Sequence, residues 1–195
     1  MTFIDAIKKR RSVYDLNNQL PVFFDKVLAM VNDAVRYVPD AFNMHSQRVV
    51  IVTGTRHKKF WDMVYNEIVR VSGGRFSRDS TDSFANGYGT ILYFYDMSVV
   101  QKTQNKYPLY AKNFSDWVMQ SNGMLQFAVW TGLRTLGIGA NLQHYNPVID
   151  NMTRKMFDLP QNWVMVAQMP FGGIVTDAGA RQFENLDDRV IVFND

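Results

Sequence analysis

The stretch FSDWVMQSNGMLQFAVWTGLRTLG, residues 114–137, constrains the fold more than any other part of the chain. It is the longest periodic segment. About 23 helical residues would span ~35 Å, roughly the width of a small domain. Trp117, Met124, Phe127, Trp130, Thr131 and Leu133 leave little of its surface polar. A helix that is apolar on most sides is buried, either in the core or in a subunit interface. Gly137 and Gly139 end it.

The other elements are shorter. Phe3, Ile4 and Ile7 share one face of a short helix that the cationic run KKRR ends. Between Pro21 and Pro39, apolar Val27, Leu28, Val31, Ala34, Val35 and Val38 recur at three- and four-residue steps, which predicts an amphipathic helix. Pro39 stops it. RVVIVTG, 48–54, reads as a buried strand, and Thr55 is expected to cap the helix that follows, with Phe60, Trp61, Val64, Ile68 and Val71 as its stripe. The glycine-rich stretch 73–89 predicts a long loop. TILYFYD, 90–96, is a second strand, and MSVVQKTQNKY a weaker helix. ANLQHYN predicts a short extended piece, WVMVAQMPFGG a buried strand and RVIVF, 189–193, a final strand. The element order lacks regular strand–helix alternation, so the fold class expected is α+β, in a single domain over 1–195.

Composition excludes several chemistries. With no cysteine there is no disulfide, thiolate nucleophile or zinc–sulfur site, and the three histidines show no metal-ligand spacing. A formal charge of +3 from 21 basic and 18 acidic side chains argues against a nucleic-acid-binding face. No window reaches the ~18 apolar residues of a membrane span, and the start of the chain does not read as a secretory signal. A soluble cytoplasmic protein without nucleic-acid or membrane partners is therefore expected. No GxGxxG or P-loop pattern follows a strand.

Three weak signals remain. Arg10, Arg11 and Ser12 could clamp a phosphate, since the guanidinium fork gives paired, charge-assisted bonds. They could equally be a solvated charge run at a helix C-terminus. Asn43 and Gln47 present in-plane donors and acceptors suited to a heterocycle, or simply make and cap a turn. GIGANLQHYN, 137–146, offers glycines, amides and His144, or a helix cap followed by a turn.

Taken in order, RRSVYDL, VPDAFNMHSQRVVIVTG, LGIGANLQHYNP, MPFGG and ARQFENLDDRVIVF resemble the flavin-dependent nitroreductase family. The form is similar to its short, fatty-acid-repression-mutant-type subgroup. The resemblance implies helices around a mixed, mainly antiparallel sheet, and a homodimer with FMN in two interface clefts. It implies that Arg10, Arg11, Ser12 and Arg181 meet the FMN phosphate and ribityl chain, that Asn43 meets the flavin ring with Gln47 helping and Phe42 lining the pocket, and that the backbone of Gln143 and His144 reaches flavin N5. Tyr14 stands where many relatives carry Lys or Arg near the pyrimidine edge, and offers only a neutral hydrogen bond there. The implied activity is ping-pong transfer of hydride from NADH or NADPH, through FMN, to a nitroaromatic, quinone or similar small-molecule acceptor. The alternative is a non-enzymatic FMN-binding redox sensor. Phe42, Tyr88, Phe114, Trp117 and Tyr145 are candidate walls of the acceptor pocket, with core packing as the competing reading.

Overall fold

The computed structural model describes residues 2–187 and 189–194. A short helix α1 (Phe3–Lys9) opens the chain, with Thr2 and Asp5 forming a reciprocal capping box. Then come β1 (Asp15–Asn17), α2 (Phe24–Tyr37), β2 (Gln47–Thr53), α3 (Gly54–Ser72), α4 (Arg78–Ala85), β3 (Gly89–Asp96), α5 (Met97–Lys106), α6 (Phe114–Thr135), β4 (Gly139–Ala140), α7 (Asp150–Phe157) and β5 (Trp163–Thr176). The sheet runs β1-β5-β3-β2 with β4 also on β5, every strand pair antiparallel. The α+β expectation holds.

Alternation along β3 explains why helices cover both faces. Ile91 and Tyr93 join Val27 and Val31 of α2 and Leu125, Val129 and Leu133 of α6 in one core. Leu92 and Phe94 point the other way, to Phe60, Trp61 and Val64 of α3 and Phe84 of α4. The long helix is thus buried on one side by α2 and the sheet. Met119, Met124 and Phe127 leave an apolar strip of it 38–47% exposed.

Three expectations change. The 73–89 stretch contains helix α4, because Ser77 caps it through the Asp79 N–H, Thr81 and Phe84 are buried, and Arg78 pairs with Asp82 and with Asp62 of α3. Helix α3 begins two residues early, with Thr53 rather than Thr55 at the cap position and no side-chain cap bond. Residues 189–193 form no strand. A strand needs a neighbouring edge for its backbone groups, and Val190, Ile191, Val192 and Phe193 instead stand 63–92% exposed.

Candidate functional site

The cationic run splits in two. Lys8 and Lys9 occupy the exposed last turn of α1. Arg10, the C-cap residue, turns inward with Arg11 and Ser12, all half-buried. Contacts from Ala140 and Asn141 on one side and from residues 179–181 on the other hold this turn. Ser12 bridges Ala140 and the Val13 N–H donates to the Ala140 carbonyl at 3.0 Å, while Asn141 Nδ2 donates to the Val13 carbonyl at 2.8 Å. From the other end of the chain, Arg181 donates to the Arg10 carbonyl at 2.8 Å, and Arg11 donates to the Gly179 carbonyl at 2.6 Å.

Three guanidinium groups therefore converge. Burial, then the charges of Arg181 and Arg11, push Arg10 below the ordinary arginine range. Among the described residues none of the three has a carboxylate within 4.0 Å. Asp177, which feels Arg11, is held by Arg134 at 2.5 Å. Like charges gathered without a paired carboxylate raise the free energy of the empty protein, and a multiply charged anion would offset it. Arg10 instead lies over the ring of Trp130, 4.3 Å from its centroid. Tyr14, two residues past Ser12, is 55% exposed.

The segment after α6 lies against this cluster. Gly137, at φ 78°, supplies the left-handed turn off the helix. A Cβ at Gly139 would fall 2.8 Å from Leu16 Cδ2 and 2.9 Å from Ile174 Cγ1, so this glycine serves packing against the sheet. The Gln143 N–H is spent on the Gln168 carbonyl at 2.7 Å, and the Tyr145 N–H on Gln168 Oε1 at 2.9 Å. The His144 N–H, between them, has no partner among the described residues, and its side chain is exposed.

Asn43 and Phe42 sit elsewhere. Phe42, Asn43 and His45 have φ of 51–55°, a left-handed conformation that costs ~1–3 kcal/mol per residue and persists only where the surroundings impose it. The Phe42 ring is boxed by Tyr107, Tyr110, Phe114 and Trp117, at centroid distances of 4.7–5.9 Å. Phe42, Trp117 and Met124 line a hollow of about 340 Å³. Tyr88 and Tyr145 are not part of it: Tyr88 packs at a tilt on Phe24 and Phe171, and Tyr145 edge-to-face on Trp61 and Phe76.

A buried amide network fixes this loop from within α6. Gln126 donates to Asn122 Oδ1 at 2.6 Å, and Asn122 donates to Gln47 Oε1 at 2.5 Å. Gln47 in turn donates to Ser46 Oγ, whose hydroxyl and N–H both reach Asp40 Oδ2. The Ala41 N–H donates to Ser121 Oγ. Gln47 is thus occupied as a strut. Asn122, Gln126, Ser121 and Trp130 were missed in the sequence because each falls within the apolar pattern of α6.

The loop and the cation cluster do not meet in one chain. Ser121 and Trp130 are nine residues apart on α6, about 14 Å along its axis and half a turn around it. The structure brings Arg10, Arg11, Ser12, Arg181, Gln143 and His144 to one side, and places Phe42, Asn43 and Gln47 across the helix.

The sequence model of the "Nitroreductase family" matches residues 7–173. The chain belongs to the nitroreductase family. It is 30% identical over 195 residues to a putative nitroreductase, HBN1, of Saccharomyces cerevisiae, covering 99% of this chain and 97% of that protein. It is 33% identical over 172 residues to the nitroreductase FRM2 of the same yeast, covering 87% and 86%. The structure of nitroreductase CinD from Lactococcus lactis in complex with chloramphenicol superposes with a TM-score of 0.94 at 39% identity, covering 99% of this chain and all of that one. Membership makes this chain an oxidoreductase of the nitroreductase type, in the subgroup of the yeast pair.

Proposed function

We propose that the protein is an FMN-dependent NAD(P)H oxidoreductase that reduces nitroaromatic, quinone or similar acceptors as a homodimer. The observation that carries this reading is the cluster of Arg10, Arg11 and Arg181, none of which has a carboxylate within 4.0 Å among the described residues. Its donor set suits a phosphate monoester, with about −1.5 to −2 charges and three acceptor oxygens. When bound, FMN would supply the electron transfer between nicotinamide and acceptor that these side chains cannot perform. The chain's own contribution is placement. Arg10, Arg11, Arg181 and the Ser12 hydroxyl hold the phosphate end. The unspent N–H of His144 offers a fixed donor to the ring edge.

Asn43 and Phe42 would serve a second copy's cofactor, because they lie across α6 from their own chain's cluster. The exposed strip Met119, Met124 and Phe127, the outer edge of β2, unpaired among the described residues, and the exposed residues 190–193 support that pairing. The hollow beside Phe42 and Trp117 suits a flat acceptor. The CinD structures hold chloramphenicol and 4-nitrophenol, each of which carries a flat nitrophenyl ring.

Steady-state NADH or NADPH oxidation with a nitroaromatic acceptor tests the reading. Sustained turnover is expected. Stoichiometric bleaching without turnover would instead identify a redox sensor. Failure to take up FMN at all would remove the proposal.

A further inference from the structure

Trp130 stands out among the aromatic residues of α6, because it touches both the cation cluster and the backbone beside it. Its ring face lies under the Arg10 guanidinium at 4.3 Å, and its Nε1–H donates to the Ala140 carbonyl at 3.1 Å. That carbonyl also accepts the Val13 N–H, and Ser12 bridges to the same residue. One indole therefore fixes both the first arginine and the backbone seam that carries Ser12.

The chemistry of the pairing matters. A carboxylate partner would occupy the N–H edge of an arginine, which is the edge an anion needs. An aromatic face attracts the cation through its quadrupole and places no oxygen acceptor on its N–H groups, and among the described residues the Arg10 side chain donates no hydrogen bond. Arg10 is thus half-buried and oriented while its donors stay available. We propose that Trp130 is a positioning residue that gives this site its preference for phosphorylated over unphosphorylated flavin. The inference rests on the FMN reading above. It adds a residue that touches neither flavin nor acceptor and acts through Arg10.

The test is the ratio of dissociation constants for riboflavin and FMN, measured by quenching of flavin fluorescence on the apoprotein. Riboflavin shares the ring and ribityl chain and lacks the phosphate. Trp130→Leu is expected to weaken FMN roughly tenfold and riboflavin less than about twofold. Trp130→Phe keeps a ring face without the N–H. Its smaller ring face should hold Arg10 less firmly and lower FMN affinity about two- to threefold with riboflavin unchanged, and that drop is the readout if the leucine variant does not fold. In an Arg10→Ala background, Trp130→Leu should leave the ratio where Arg10→Ala alone puts it. Equal weakening of both ligands, or an unchanged ratio in every Trp130 variant, overturns the inference while leaving the FMN reading in place. A wild-type protein that binds FMN no better than riboflavin overturns the FMN reading itself.

Discussion

Removing the Arg10 side chain separates a phosphate clamp from an ordinary charge run. The structure sets the contrast: Lys9 is exposed in the last turn of α1, whereas Arg10 is half-buried among two other guanidinium groups. Arg10→Ala and Lys9→Ala remove the same unit of charge one residue apart, so their long-range electrostatic effects are similar and screened alike by salt. Any difference reports direct contact. Losing one charge-assisted hydrogen bond to phosphate costs ~1.5–3 kcal/mol, a ten- to hundredfold loss of FMN affinity. The empty protein should respond the other way. Arg10 is destabilised by burial and by Arg181 and Arg11, so its removal should leave the melting temperature of the apoprotein level or raise it. Isothermal titration with FMN at fixed ionic strength, with apoprotein melting alongside, makes the comparison. Equal FMN affinities for the two variants would refute the clamp, and a marked fall in apoprotein stability would show that Arg10 holds the fold instead.

Three further outcomes follow from other residues. Burial holds the His57 imidazole down to about 4, inside a chain in which Trp61 donates to Thr90 and His57 meets Thr90 and the Phe84 carbonyl. Between the ordinary histidine value near 6.5 and about pH 4 the unfolded chain binds a proton that the folded one excludes. Stability should therefore fall by up to ~3 kcal/mol as pH drops through that window and stay level above it; urea melts of wild type and His57→Gln give the slope, and identical slopes would contradict the assignment. Asn122→Ala leaves Gln47 Oε1 and Gln126 Nε2 without their partners and should cost ~1–3 kcal/mol in the same assay. A cost under about 0.5 kcal/mol, typical of surface changes, would mean that the amide network does not hold the 40–47 loop. Deleting residues 189–194 should shift the protein from dimer towards monomer in sedimentation, and an unchanged dimer would exclude that segment from the interface.

Much of the fold was legible wherever a local pattern met a local constraint. The Pro21 and Pro39 brackets around α2, the β-branched run of β2 and the length of α6 all reappear. Helix α4 was hidden because its window is polar and follows two glycines, and the burial that anchors it, Phe84 against Trp61 of α3 at 4.8 Å between ring centroids, lies outside any local window. Residues 189–193 carry strand propensity, but propensity cannot supply a partner edge. The same division holds for the site. Arg10, Arg11 and Ser12 are adjacent in sequence, so their clustering could be read directly. Trp130 and Asn122 could not, since an indole or an amide inside an apolar helix looks like core packing until its neighbours are known. That Asn43 lies across α6 from Arg10 follows from how the chain wraps that helix.

The most direct measurement is the visible absorption spectrum of the purified protein before and after adding FMN. The account predicts flavin bands that remain with the protein through gel filtration and bleach on addition of NADH or NADPH. A protein that stays colourless after incubation with excess FMN and desalting would contradict it.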